Sequence, residues 1–212
     1  MKPSFLAVLL TAFGTLASSA PGQAVAQQTP AAPTAPDPAK GQAIAAVCGA
    51  CHAFDGSRGS PANPILQGQH ADYIVKQLRE FKVGKRQNPI MQAMAAPLSE
   101  DDMRNVAAFY AGKEPKAGFA RNKDLATAGM RAYKGGIADR QIPACTGCHG
   151  PTGSGIPAQY PKLAGQHADY TEAQLLAFRS ETRKNNPIMT AVAAKLNDRE
   201  IKALADYLAG LR

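Results

Sequence analysis

Residues 48–52 read CGACH and residues 145–149 read CTGCH, and these two pentapeptides hold all four cysteines of the 212-residue chain. C-x-x-C-H is the attachment pattern for c-type haem: Cys48 and Cys51, or Cys145 and Cys148, bond the two vinyl groups as thioethers. One helical turn brings the paired thiols to one edge of the ring, and the next residue, His52 or His149, presents its imidazole to the iron. Other uses of cysteine pairs fit less well. A thiol–disulfide oxidoreductase carries C-x-x-C once, at the start of a helix in an α/β sheet, and nothing here reads as a strand. A four-cysteine zinc site leaves both histidines idle, and structural disulfides give no reason for a histidine after each pair. The motifs therefore point to two covalently bound haem c groups.

The duplication runs outward from these motifs. LQGQHADY at 66–73 matches LAGQHADY at 163–170, 97 residues later. Gln77, Leu78 and Phe81 match Gln174, Leu175 and Phe178 at the same spacing, and one extra residue then enters before NPIM (88–91) recurs at 186–189. Apolar positions Met103, Val106, Ala107 and Tyr110 match Ile201, Leu204, Ala205 and Leu208, stepping as one helix face does. Each unit reads as three helical stretches, about 39–50, 70–83 and 99–111 in the first, and about 124–134, 167–180 and 197–210 in the second. Ser99 with Asp102, and Asn197 with Glu200, are N-cap pairs for the last helix of each unit.

Units this small, with much alanine and no tryptophan, need a staple, and haem supplies it. The repeated NPIM gives each haem a sixth ligand: Met91 follows His52 by 39 residues and Met189 follows His149 by 40, each read in a polar loop before the last helix. A thioether opposite histidine raises the reduction potential and closes the iron to substrate. Met94 lies three residues after Met91, but its repeat partner is Val192, which cannot ligate, so Met91 is assigned. His70 and His167 are alternative second ligands; packing or hydrogen bonding at the surface, at the start of the middle helix, is the preferred reading, because the methionines serve better.

Residues 1–26 read as a signal peptide: Met1–Lys2, an apolar run at Phe5–Leu16 and the Ala24-Val25-Ala26 cleavage pattern. Residues 27–38 are a Pro/Ala-rich tether, 39–116 the first domain, 117–122 a linker and 123–212 the second domain. Beyond the signal, the stretch 27–118 has 10 Lys and Arg against 8 Asp and Glu, whereas 119–212 has 13 against 8. No dense basic stripe or nucleic-acid module appears, so nucleic acid is excluded as a partner. A basic face steering an acidic redox protein is the better reading. Lys82, Lys85 and Arg86, with Arg179, Arg183 and Lys184, lead into each NPIM, and one of these clusters is expected to border a haem edge and steer the acidic partner.

With two C-x-x-C-H units, two later methionines and the stretches ACTGCHG and YPKLAGQHADY, residues 39–212 resemble the dihaem cytochromes c of the cytochrome c4 family. The resemblance implies an all-α fold of two class I cytochrome c-like domains, each wrapped round a covalent haem and facing the other across a pseudo-twofold axis. It implies His52 and Met91 as axial ligands of one iron, and His149 and Met189 of the other. It puts Pro64 and Pro161 where a proline carbonyl would orient the ligand histidine, with Leu66 and Leu163 against the haem. Gly41 and Gly129 fall where the first helix crosses the last. Ala45 stands where the second unit has Tyr133, so the two crossings are expected to differ. The implied function is periplasmic electron transfer between respiratory-chain components, from a quinol-oxidising complex toward a terminal oxidase, with peripheral association at the membrane. A dihaem peroxidase is the enzymatic alternative, but it needs one displaceable sixth ligand, and both units here supply a methionine.

Overall fold

The computed structural model describes residues 34–212, so the signal peptide call and most of the tether lie outside the described residues. The described chain is helical: α1 (Pro38–Cys48), α2 (Ala71–Lys82), α3 (Pro89–Ala95), α4 (Glu100–Ala111), α5 (Lys123–Gly135), α6 (Thr146–His149), α7 (Ala168–Arg179), α8 (Pro187–Ala193) and α9 (Asp198–Gly210). The only strand-like pairings among the described residues are the isolated bridges Ile137–Ile142 and Ile156–Tyr160. None of these helices is long and apolar enough to cross a membrane.

Helix starts follow from their caps. Asp37 accepts from the backbone of Ala39 and Lys40, Pro38 pre-sets the first turn, and the Asp37 N–H is held by Asn105 Oδ1 at 2.8 Å. The chain is thus anchored to the first unit from Asp37 onward. Ser99 with Asp102, and Asn197 with Glu200, form reciprocal capping boxes for α4 and α9.

The NPIM stretches depart from the sequence reading. They are helix starts rather than loops: Asn88 and Asn186 accept from the N–H of Met91 and Met189, and Pro89 and Pro187 occupy the first turn of α3 and α8. Each methionine therefore sits on a rigid first turn.

In both units the first long helix crosses the last at a glycine. A Cβ on Gly41 would lie 2.0 Å from the Asn105 carbonyl oxygen, and one on Gly129 would lie 2.0 Å from that of Ala203. One turn along, the units fill the crossing differently. In the first, Ala45 on α1 faces a core containing Tyr110 of α4; in the second, Tyr133 of α5 shares the core with Leu208 of α9. The tyrosine has changed helix, yet both hydroxyls reach the turn of the haem motif: Tyr110 donates to the His52 carbonyl and Tyr133 to that of Gly150. The second unit also carries a longer approach to its motif. Cys145 comes 16 residues after Gly129 but Cys48 only 7 after Gly41, and the added residues form the Ile137–Ile142 bridge and a short 3-10 turn.

The repeated GQHADY stretch joins the units. Gln69 accepts from the N–H of Lys162 and donates to its carbonyl, while Gln166 does the same to Ile65. His70 Nε2 lies 2.7 Å from the Ser154 carbonyl and His167 Nε2 lies 2.7 Å from that of Arg58. These histidines are interface residues rather than the surface residues expected from the sequence, because each imidazole is taken up by a carbonyl of the opposite unit.

Candidate functional site

Both C-x-x-C-H motifs close on a helical turn, with the histidine N–H bonded to the carbonyl of the first cysteine at 2.8 Å in each unit. All four thiols are free, and Cys51 is exposed while the other three are half-buried. Burial pushes the Cys145 thiol up to about 11 and raises Cys48 as well. A redox-active dithiol or thiolate metal site needs the opposite shift, toward an accessible thiolate.

His52 and His149 are buried, and each Nδ1 faces a proline carbonyl, Pro64 at 3.0 Å and Pro161 at 3.1 Å. A carbonyl can only accept, so Nδ1 carries the proton and Nε2 keeps its lone pair. Burial lowers both pKa values, the proline hydrogen bond opposing it, which favours the neutral ring. Two neutral imidazoles with fixed tautomers and free Nε2 atoms are what metal ligation requires.

His52, His149, Met91 and Met189 all line one continuous cavity of about 480 Å³, with Leu66 and Leu163 also on its wall. That volume lies in the range of cofactor sites. Met94 is absent from this wall and is 43% exposed on α3. The free cysteine pairs, the tautomer-fixed imidazoles, the thioethers and the apolar walls together fit covalent haem in each unit. His70 does not reach the site as a ligand, since its Nε2 is engaged by Ser154.

The basic clusters before each NPIM do not form the surface patches the sequence suggested. Arg86 and Arg183 are each 9% exposed and turn inward onto the unit interface. Arg179 bonds Asp198 and the Leu196 carbonyl. Exposed cations remain at Lys82, Lys85 and Lys184, and Lys85 is paired with Glu80 at 3.5 Å. Both arginines nevertheless line the cavity, and they occupy exact repeat positions, with Gln77 and Gln174 repeating alongside.

The family model for cytochrome c matches residues 38–111 and 126–212. The chain is 43% identical over 179 residues to cytochrome c4 of Pseudomonas aeruginosa, covering 82% of this chain and 89% of that protein. It is 42% identical over 173 residues to a thiosulfate dehydrogenase electron acceptor of Stutzerimonas stutzeri, covering 79% and 80%. The crystal structure of reduced recombinant cytochrome c4 from Pseudomonas stutzeri superposes with a TM-score of 0.79 at 42% identity, covering 84% of this chain and all of that one.

Proposed function

This chain belongs to the cytochrome c family as a dihaem protein of the cytochrome c4 type with two covalent haem c groups, and from that premise we propose that it is a periplasmic electron carrier delivering electrons toward a terminal oxidase. Cys48, Cys51, Cys145 and Cys148 would form the thioethers, His52 and Met91 would hold one iron, and His149 and Met189 would hold the other. The observation that carries this reading is the single cavity shared by both histidines and both methionines.

A bound haem supplies a one-electron centre. The chain's own residues set its properties. Pro64 and Pro161 fix imidazole orientation and strengthen the nitrogen as a donor to metal. Asn88 and Asn186 lock the turn that presents each thioether, which as a ligand would raise the potential and close the iron to substrate. A methionine over each iron would leave neither unit a site for substrate, which favours a carrier over a peroxidase.

The upstream donor is taken as a quinol-oxidising complex, and docking as transient, with peripheral attachment to the membrane. Relatives described as thiosulfate dehydrogenase electron acceptors support an additional donor of the dehydrogenase type. Mass spectrometry with spectroelectrochemical titration of the exported protein tests the proposal. Two covalent haems, two one-electron steps and no peroxide turnover are expected. Rapid turnover of peroxide by the reduced protein overturns the carrier reading.

A further inference from the structure

The cysteine edge of the first unit is bare. Cys51 is exposed and lines the cavity together with Ile90, itself 68% exposed on the first turn of α3, so both stand at its mouth. Val47, on the last turn of α1 just before the motif, is also 68% exposed. Met94 lies one turn beyond Ile90 on the same side of α3 and is 43% exposed. Three large apolar side chains thus meet solvent around the opening where a haem tethered at Cys51 would show its edge.

Charge is missing from the same surface. Residues 41–54, from α1 through the motif, and residues 87–98, spanning α3, contain no Asp, Glu, Lys or Arg. At the chain's 19% charged composition, stretches of this length would hold about five. Single exposed apolar residues need no explanation, but a charge-free cluster of them marks an interaction site.

The second unit closes the same place. Its matching stretches, 138–151 and 185–196, carry Asp139, Arg140 and Lys195. The residues added before its motif are tied to the end of α8. Arg140 donates to the Lys195 carbonyl at 3.0 Å and pairs with Glu200, while Lys195 Nζ donates to the Gln141 carbonyl at 3.2 Å. Ile142 belongs to one apolar cluster with Val192, the half-buried repeat partner of Met94. Cys148 is half-buried, with Tyr160 against it where the first unit has Asn63.

We propose that this face of the first unit, around Val47, Cys51, Ile90 and Met94, docks a redox protein whose own electron-transfer edge lies in an uncharged, apolar patch, and that the second unit has no equivalent face. The proposal rests on the two-haem reading above and adds which unit meets such a partner, and by what force. A charged partner surface would lose hydration here and find no counter-charge in return. An apolar one gains by removing Val47, Ile90 and Met94 from water. With no ion pair to screen, the contact tolerates salt.

The test uses reduced holoprotein and two small blue-copper probes, one with an uncharged apolar patch at its copper edge and one with an acidic patch. In NMR titration with the reduced apolar probe, the methyl signals of Val47, Ile90 and Met94 should shift, and that of Ile188, exposed on the second unit, should not. Stopped-flow electron transfer to the oxidised apolar probe should change less than about twofold between low and high salt. Changing Val47 and Met94 together, to Glu or to Lys, should slow it about tenfold or more with both haem absorption bands retained. Ile188→Glu should leave it within about twofold of wild type. Faster transfer with one sign of charge and slower with the other would show that charge governs docking, and would overturn the proposal. Faster, salt-sensitive transfer to the acidic probe, undisturbed by the same variants, would do so too. A wild-type dimer that the Glu variants dissociate in sedimentation would assign the face to a second copy of the chain, and binding to phosphatidylcholine vesicles lost in those variants would assign it to lipid; either overturns it. Unshifted methyl signals in protein with two haems remove this proposal alone, whereas fewer than two covalent haems in the wild type would remove the reading on which it rests.

Discussion

Gln69 and Gln166 occupy matching repeat positions, and each clamps the backbone of the opposite unit with both ends of its amide. Gln166 serves the N–H and carbonyl of Ile65 at 2.9 and 3.1 Å; Gln69 serves those of Lys162 at 2.9 and 3.0 Å. Ile65 is 7% exposed, so cutting its clamp strands buried backbone groups. Gln166→Ala should cost about 1–3 kcal/mol in equilibrium urea unfolding of the holoprotein. No change in midpoint would show that solvent replaces the glutamine freely.

The glycine crossings should be less forgiving. Gly41→Ala and Gly129→Ala each place a methyl about 2.0 Å from a backbone carbonyl oxygen that cannot rotate away. Forcing the helices apart should cost roughly 3 kcal/mol or more, at the upper end of overpacking penalties. Gly147→Ala, which meets open space, is the control and should cost well under this. Thermal unfolding of the three variants side by side checks the order.

Acid sensitivity has a definite sign at Glu80. Burial raises its pKa, but hydrogen bonds from Lys76 and Asn185 and the charges of Lys76 and Lys85 together leave it below the ordinary value of 4.5. A carboxyl depressed on folding adds stability above its unfolded pKa and loses it as pH falls through the folded one. The wild type should therefore lose stability below about pH 4.5 more steeply than Glu80→Gln. Parallel acid limbs in the two unfolding curves would show that Glu80 contributes nothing there.

The two neighbouring thioethers of α3 should behave oppositely. Met91→Ala should abolish the sulfur-to-iron charge-transfer band of the first haem and lower its potential. Met94→Val copies the second unit at an exposed position and should change neither. Loss of the band in the Met94 variant alone would reassign the ligand.

How much could be read beforehand depended on the kind of signal. The six long helices were legible because their apolar faces and caps are local, as in Ser99 with Asp102 and Asn197 with Glu200. Two covalent haems were legible because C-x-x-C-H is a contiguous pattern. The short helices α3 and α8 were missed, although Asn-Pro is itself an N-cap followed by a first-turn proline. Seven residues give too little periodicity to weigh against a polar neighbourhood. The cross-unit contacts of Arg86, Arg183 and the GQHADY stretch were not legible, because their partners lie about 85–110 residues away, where no local pattern points. The residue added before the second NPIM belongs to the same class. Arg86 and Arg183 make equivalent contacts, so the extra residue lies after Arg183, and Asn185 is buried there against Glu80 and Gln77.

The exchanged tyrosine makes the two halves poor donors of spare parts to one another. Grafting α1 in place of α5 would set Ala45 opposite Leu208, leaving a hole where Tyr133 had been and no hydroxyl for the Gly150 carbonyl. The reciprocal graft would crowd Tyr133 and Tyr110 into a space built for one ring. Repeats this similar in outline invite recombination between them, yet only whole units can trade places, because the first and last helix of each are matched to each other alone.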